Sequence, residues 1–169
     1  MGYYISAEGV IEMPRSLESE ALHALKMLNY DHEAKRGGIL GNPEATFETR
    51  WYSWMPERWH DDVASIGDVL ELVGFGVDKS RMAGLDVYTL TYDNKTGQEE
   101  VFLNRLADYA QVDVEFTGED GLRWRWANAK AGAPLVNYDA KMGYKENGTV
   151  ADLIRKEQDY AKRARMMYA

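Results

Sequence analysis

The sequence predicts a single α+β domain, with an antiparallel-rich sheet of five to six strands packed on helices and a C-terminal helix. Three observations carry that reading. Residues 3–12 alternate apolar and polar side chains with a period of two, the pattern of a strand with one buried face. Residues 17–35, 61–74 and 99–110 instead space their apolar residues at three and four, as helices with one buried stripe do. Residues 112–126 hold two further alternating runs joined by an acidic, glycine-containing turn, which is the signature of a hairpin.

Tyr3, Ile5, Ala7, Gly9 and Ile11 share one face of the first strand, and Pro14 ends it. Ser16 is placed to cap the helix that follows, with Glu18 and Glu20 in its positive first turn and Leu17, Ala21, Leu25 and Leu28 along its stripe. Gly37, Gly38, Gly41 and Pro43 then form a loop. Residues 46–54 read as a second strand rich in aromatics (Phe47, Trp51, Tyr52, Trp54), stopped by Pro56. Asp61 or Asp62 is the expected cap of a helix carrying Val63, Ile66, Val69, Leu70 and Val73, ended by Gly74 and Gly76. A polar connection leads to a strand at about residues 86–92. Thr96-x-x-Glu99 then matches a capping box, opening a helix with Phe102, Leu103, Leu106, Tyr109 and Ala110.

The hairpin has a predicted register. With Thr117 to Gly121 as its loop, Phe116 faces Leu122, Val114 faces Trp124 and Val112 faces Trp126, while Glu115 meets Arg123 and Asp113 meets Arg125. One face is then apolar and the other charge-paired, each couple worth about 0.2–1 kcal/mol. Pro134 to Tyr138 reads as an edge strand. The expected organisation is an α+β domain over residues 1–142, a linker over 143–148 and a basic C-terminal helix over 149–169, either docked on the body or projecting. Asp152/Lys156 and Asp159/Arg163 support that last helix, whose apolar stripe is thin.

The chain has 169 residues, 20 basic and 28 acidic side chains, a formal net charge of −8 and no Cys. Disulfides, thiolate metal sites and cysteine nucleophiles are therefore excluded. No stretch approaches the ~20 apolar residues of a membrane span, and the N-terminus lacks the regions of a signal peptide. Met1-Gly2-x-x-x-Ser6 has the myristoylation form, but the same residues read as a strand and no second membrane signal follows. The expectation is a cytoplasmic protein with no membrane partner. Residues 150–169 carry five basic and three acidic side chains, which leaves 15 and 25 in residues 1–149. So acidic a body disfavours nucleic acid as a partner.

Candidate chemistry is sparse. His23, His32 and His60 lack the spacing of a helical metal pair, and His60-Asp61-Asp62 suits a helix start as well as a cation. No serine sits in a G-x-S-x-G elbow, and Gly37-Gly38-x-x-Gly41 lacks the lysine of a phosphate loop. No cofactor or metal is expected. Arg123-Trp124-Arg125-Trp126 interleaves cations and aromatics, but strand alternation points the two types apart, so it reads as core plus surface. Partner contact is expected instead at Trp51, Trp54 and Trp59, near Arg50 and Arg58, and at Arg155, Lys156, Arg163 and Arg165 of the last helix. Burial of those aromatics under helices is the competing reading.

Met1-Gly2-Tyr3-Tyr4-Ile5-Ser6, Arg50-Trp51-Tyr52 and the hairpin from Val114 to Trp126 resemble a loose group of small uncharacterised bacteriophage and actinobacterial proteins. Residues 55–85 and the basic C-terminal helix depart from that group. The resemblance implies a phage origin and a non-enzymatic accessory protein that binds and modulates a host protein, an analogy at the level of the group. The alternatives are an acidic nucleic-acid mimic or nucleic-acid-related binder and, third, a small enzyme whose carboxylates converge only in three dimensions. Self-association as a homo-oligomer through the C-terminal helix is also open.

Overall fold

The computed structural model describes residues 3–35, 50–52 and 55–138. Along the chain these form β1 (Tyr4–Pro14), α1 (Glu18–Met27), α2 (Trp59–Asp62), α3 (Ile66–Val73), β2 (Gly76–Met82), β3 (Leu85–Lys95), α4 (Glu99–Leu106), β4 (Gln111–Gly118), β5 (Arg123–Ala127) and β6 (Val136–Tyr138). The strands make one antiparallel sheet in the order β2-β3-β1-β4-β5-β6. The α+β class and the strand count follow the sequence expectation.

β1 lies inside the sheet and pairs on both sides. It meets β3 from Tyr4↔Lys95 to Pro14↔Leu85 and β4 from Ile5↔Gly118 to Glu12↔Gln111. Its odd-numbered residues Ile5, Ala7, Ile11 and Met13 are buried, as are Tyr88, Leu90 and Tyr92 of β3 and Val112, Val114 and Phe116 of β4. Leu25 of α1, Val69 and Leu70 of α3, and Phe102 and Leu103 of α4 close this face into a single core. Gly9 interrupts the apolar row for a steric reason. A Cβ there would lie 2.5 Å from the Asp113 carbonyl oxygen and 2.6 Å from the Val114 Cα. Only glycine admits that approach between the strands.

Several elements differ from the sequence expectation. The hairpin of β4 and β5 keeps its faces but moves its register by two: Phe116 pairs with Trp124, Val114 with Trp126 and Glu115 with Arg125, while Asp113 meets Ala127. The Phe116 and Trp124 rings stack at 5.7 Å, and the Gly118 N–H donates to the Leu122 carbonyl at 2.8 Å, leaving Leu122 exposed in the turn. A shift of two preserves the side-chain faces, so the binary pattern could not detect it. α1 stops at Met27 and passes into a 3-10 turn at Leu28–Tyr30, short of residue 35, and its start has no side-chain cap from Ser16. For α3 the cap is Ser65, not Asp61 or Asp62. Ser65 Oγ accepts from the Asp68 N–H at 3.1 Å, and the Asp68 carboxylate accepts from the Ala64 N–H at 2.9 Å. The polar connection before β3 is itself a strand, β2, exposed along nearly its whole length and so without an apolar row to announce it. Of the aromatic strand expected over 46–54, Trp51 makes a single bridge; residues 46–49, Ser53 and Trp54 lie outside the described residues, as do the linker and the C-terminal helix.

Two polar clusters fasten the layers. Asn128 is buried and bonds four ways: its Nδ2 donates to the carbonyls of Ala107 (3.2 Å), Ala110 (3.0 Å) and Ala133 (3.2 Å), and its Oδ1 accepts from the Val112 N–H at 2.7 Å. The end of α4, the start of β4 and the turn before β6 thus share one side chain. At the other end of the sheet the buried Asp86 receives Arg15 at 3.2 Å, Lys79 at 3.3 Å and Arg81 at 3.8 Å. Beside it, Glu18 accepts from the Tyr88 hydroxyl at 3.0 Å. Burial and the hydrogen bond to Asp86 raise the Glu18 pKa, while that same hydrogen bond lowers the Asp86 pKa. The two shifts run in opposite directions, and the Tyr88 contact ties the start of α1 to the β2–β3 hairpin.

Asn128→Ala removes the donor to the Ala110 and Ala133 carbonyls and the acceptor for the Val112 N–H, while the Ala107 carbonyl keeps the Gly132 N–H at 2.8 Å, and should lower the unfolding free energy by roughly 2–4 kcal/mol in a urea titration. Ala83 and Gly84 connect β2 to β3 with φ of +31° and +86°, a two-residue turn with both angles positive. Ala83→Asn supplies the residue that tolerates this and should stabilise by about 1 kcal/mol. Glu18 contributes stability that is complete below its ordinary pKa of 4.5 and is lost as pH rises through its raised folded value. Asp86 contributes the opposite slope, lost as pH falls through a folded value below 3.8. Glu18→Gln keeps a donor to Asp86 and an acceptor for Tyr88 but does not titrate. It should therefore gain melting temperature on wild type as pH rises above 4.5 through the raised Glu18 value; a difference that does not change with pH would refute the raised Glu18 pKa.

Candidate functional site

The second face of the sheet carries no helix among the described elements. Its side chains come from the even positions of β1 (Ser6, Glu8, Val10), the odd positions of β3 (Thr89, Thr91, Asp93) and the odd positions of β4 and β5 (Asp113, Glu115, Thr117, Arg123). They line an open groove of about 940 Å³, floored by the backbone at Gly9. Four carboxylates and one guanidinium reach into it, framed by Ser6 and three threonine hydroxyls.

The charges are arranged unevenly. Arg123 pairs with Glu115, and Arg125 stands opposite Glu115 in the strand register. Arg125 is fully buried, its guanidinium 4.3 Å from the centre of the Tyr138 ring. Glu115 thus lies against two cations. On its other side Glu8 is its direct cross-strand partner. Like charges so placed are destabilising. Glu8 and Asp93 are both exposed, and neither makes an ion pair among the described residues. Across β1 from Glu8 stands Thr91, a neutral hydroxyl. The exposed wall of the groove is consequently anionic and the β5 side is neutralised. Such a surface accepts hydrogen bonds and positive charge; no group of three or more His, Asp or Glu among the described residues is arranged to hold a metal ion.

The residues expected to contact a partner do not assemble there. Trp59 is 1% exposed and packs edge-on against Phe102 at 5.7 Å. It is a core residue, which removes it as a contact: α2 turns it inward beneath α4. Tyr52 is likewise buried, edge-on to Phe102 at 5.0 Å, with its hydroxyl donating to the Leu28 carbonyl at 2.9 Å, and burial raises its pKa. Trp51 is 42% exposed but does not line the groove, because its neighbour Tyr52 is anchored among the helices on the opposite side of the sheet. Trp54, Arg155, Lys156, Arg163 and Arg165 lie outside the described residues. The groove acids were missed because sequence alternation showed two polar faces, Glu8 with Glu12 and Asp113 with Glu115, without showing that β1 and β4 are neighbours. The Arg123 and Arg125 side chains do point away from Trp124 and Trp126, as strand alternation requires.

Among the described residues no helix is long and apolar enough to cross a membrane. No family model, curated protein or solved structure matches the chain.

Proposed function

We propose that this is a non-enzymatic binding protein that engages a basic segment of another protein in the anionic groove on the open face of its sheet. One observation carries the reading. Glu8 and Glu115 stand opposite each other in register at the centre of the sheet, beside Asp93, and among the described residues the cations stand on the Glu115 side. That opposition costs stability in the free protein and is relieved when a lysine or arginine enters. A local arrangement that works against the fold marks a place selected for something else. The resemblance to bacteriophage proteins supports a host protein as the partner and a phage-encoded modulator as the role. The concave shape favours this over nucleic-acid mimicry, since a mimic presents its carboxylates on a projecting surface, whereas a groove receives a projecting cationic one.

The test is the double variant Glu8→Gln/Asp93→Asn beside wild type, with a bacterial lysate and with a synthetic arginine- and lysine-rich peptide. Wild type should capture a basic protein at about 50 mM salt and release most of it by 200 mM, because the contact is made by exposed charges. The double variant should lose this binding while melting at or above the wild-type temperature, the sign of a repulsion removed. A variant that binds normally, or wild-type binding that is insensitive to salt, would reject the groove as the contact surface.

A further inference from the structure

The outer edge of the sheet at β2 carries a second inference, independent of the groove. We infer that β2 is a docking edge for an extended acidic segment of a partner protein, which would join the sheet as an additional strand. β2 is terminal in the strand order and pairs only with β3, without a bulge, from Gly76↔Thr91 to Met82↔Leu85. Asp78 to Met82 are all exposed, and the strand contains no proline. Among the described residues β2 has no bulge, proline or covering element; its protection against unselective pairing is the charge of Lys79 and Arg81, which leaves the edge open to a strand of opposite sign.

The turn determines which backbone groups face outward. A two-residue connection with both φ positive makes its flanking residues, Met82 and Leu85, exchange ladder hydrogen bonds. Alternation then directs the N–H and C=O of Arg81, Lys79 and Val77 away from β3, toward an incoming strand. The side chains of these three residues lie on the helical face, next to Asp86, Tyr88 and Leu90.

Charge selects the occupant. Lys79 and Arg81 share Asp86 with Arg15, so three cations surround one buried carboxylate whose neighbour Glu18 is biased toward its neutral form. The cluster is short of negative charge. A second copy of the chain is a poor occupant. In a two-fold antiparallel pairing, opposed residues share a face, so each register centred on residues 78–81 sets like charges together: Asp78 with Asp78, Lys79 with Lys79, Lys79 with Arg81, or Arg81 with Arg81. A foreign strand with acids two residues apart, opposite Arg81 and Lys79, and an apolar residue opposite Val77 meets all three positions.

The experiment titrates the intact, nitrogen-15-labelled protein with the capped peptide Thr-Glu-Thr-Glu-Thr-Val-Thr and follows backbone amide shifts. Saturable shifts should concentrate at Val77, Lys79 and Arg81 and in the facing part of β3, and weaken several-fold between about 50 and 300 mM salt. The same peptide with Lys in place of both Glu should bind at least ~10-fold more weakly. N-methylation of both Glu should abolish binding, since it removes the amides that pair with β2. Equal binding of the Lys and Glu peptides, binding that survives N-methylation, shifts centred on the groove, or no saturation at a few millimolar peptide would each overturn the proposal. The groove takes cations and the edge takes acids, so failure of one leaves the other standing.

Discussion

The structure depends on the close approach of β1 to β4 at Gly9. With no side chain there, the two backbones come within a distance that a single methyl group would occupy, Asp113 and Val114 being the residues met. That contact pins the register of the innermost pairing. A slip of one residue would turn Ile5, Ala7 and Ile11 to solvent and bring Ser6, Glu8 and Glu12 into the core. The same register places Glu8 opposite Glu115. Core and groove are therefore two consequences of one pairing, and a substitution that loosens the first must disperse the second.

The two faces of the sheet are built from different chemistry. On the helical side, Tyr52, Trp59 and Phe102 interlock edge to face, and Tyr52 ties its segment to the end of α1 through the Leu28 carbonyl. Among the described residues the buried Trp59 indole N–H has no hydrogen-bond partner, a cost of about 1–3 kcal/mol that the buried ring area has to exceed. On the open side, Val10 and the threonine methyl groups sit among carboxylates and hydroxyls, so apolar and polar surface are mixed there. Charge and hydrogen bonding on such a surface give orientation and fast capture more than tight hydrophobic affinity.

Much of this was legible in the sequence where a pattern is local. The alternation of residues 3–12, the two strands of the hairpin and the stripes of α3 and α4 each report on neighbours a few residues apart. Thr96 and Glu99 do meet, the hydroxyl donating to the carboxylate at 2.7 Å, although the residue at the helix start is Gln98. What was not legible depends on distant partners. The hairpin register rests on the stacking of Phe116 with Trp124 and on the turn at Gly121, and a period of two cannot tell one such register from another. β2 escaped because an edge strand exposed on both faces has no hydrophobic row. Trp59 looked like a surface aromatic because a four-residue helix gives too short a stripe to say which way it points.

The two charged surfaces also constrain each other through β3. Asp86, at the start of that strand, gathers the cations of β2 and Arg15; Asp93, near its end, contributes an acid to the groove. The two positions differ by an odd number of residues, so alternation sends them to opposite faces of the sheet. Had both carboxylates shared a face, Lys79 and Arg81 would have stood on the groove side and reduced its negative charge. Because they do not, an acidic chain with a modest net charge can keep a concentrated anionic surface and a cationic edge without one cancelling the other. The separation is electrostatic as well as geometric: the sheet lies between the two clusters, and exposed charges beyond about 10 Å are screened at ordinary salt. The two proposed contacts, a basic segment on the face and an acidic strand along the edge, therefore fall on separate surfaces and do not compete for the same charges.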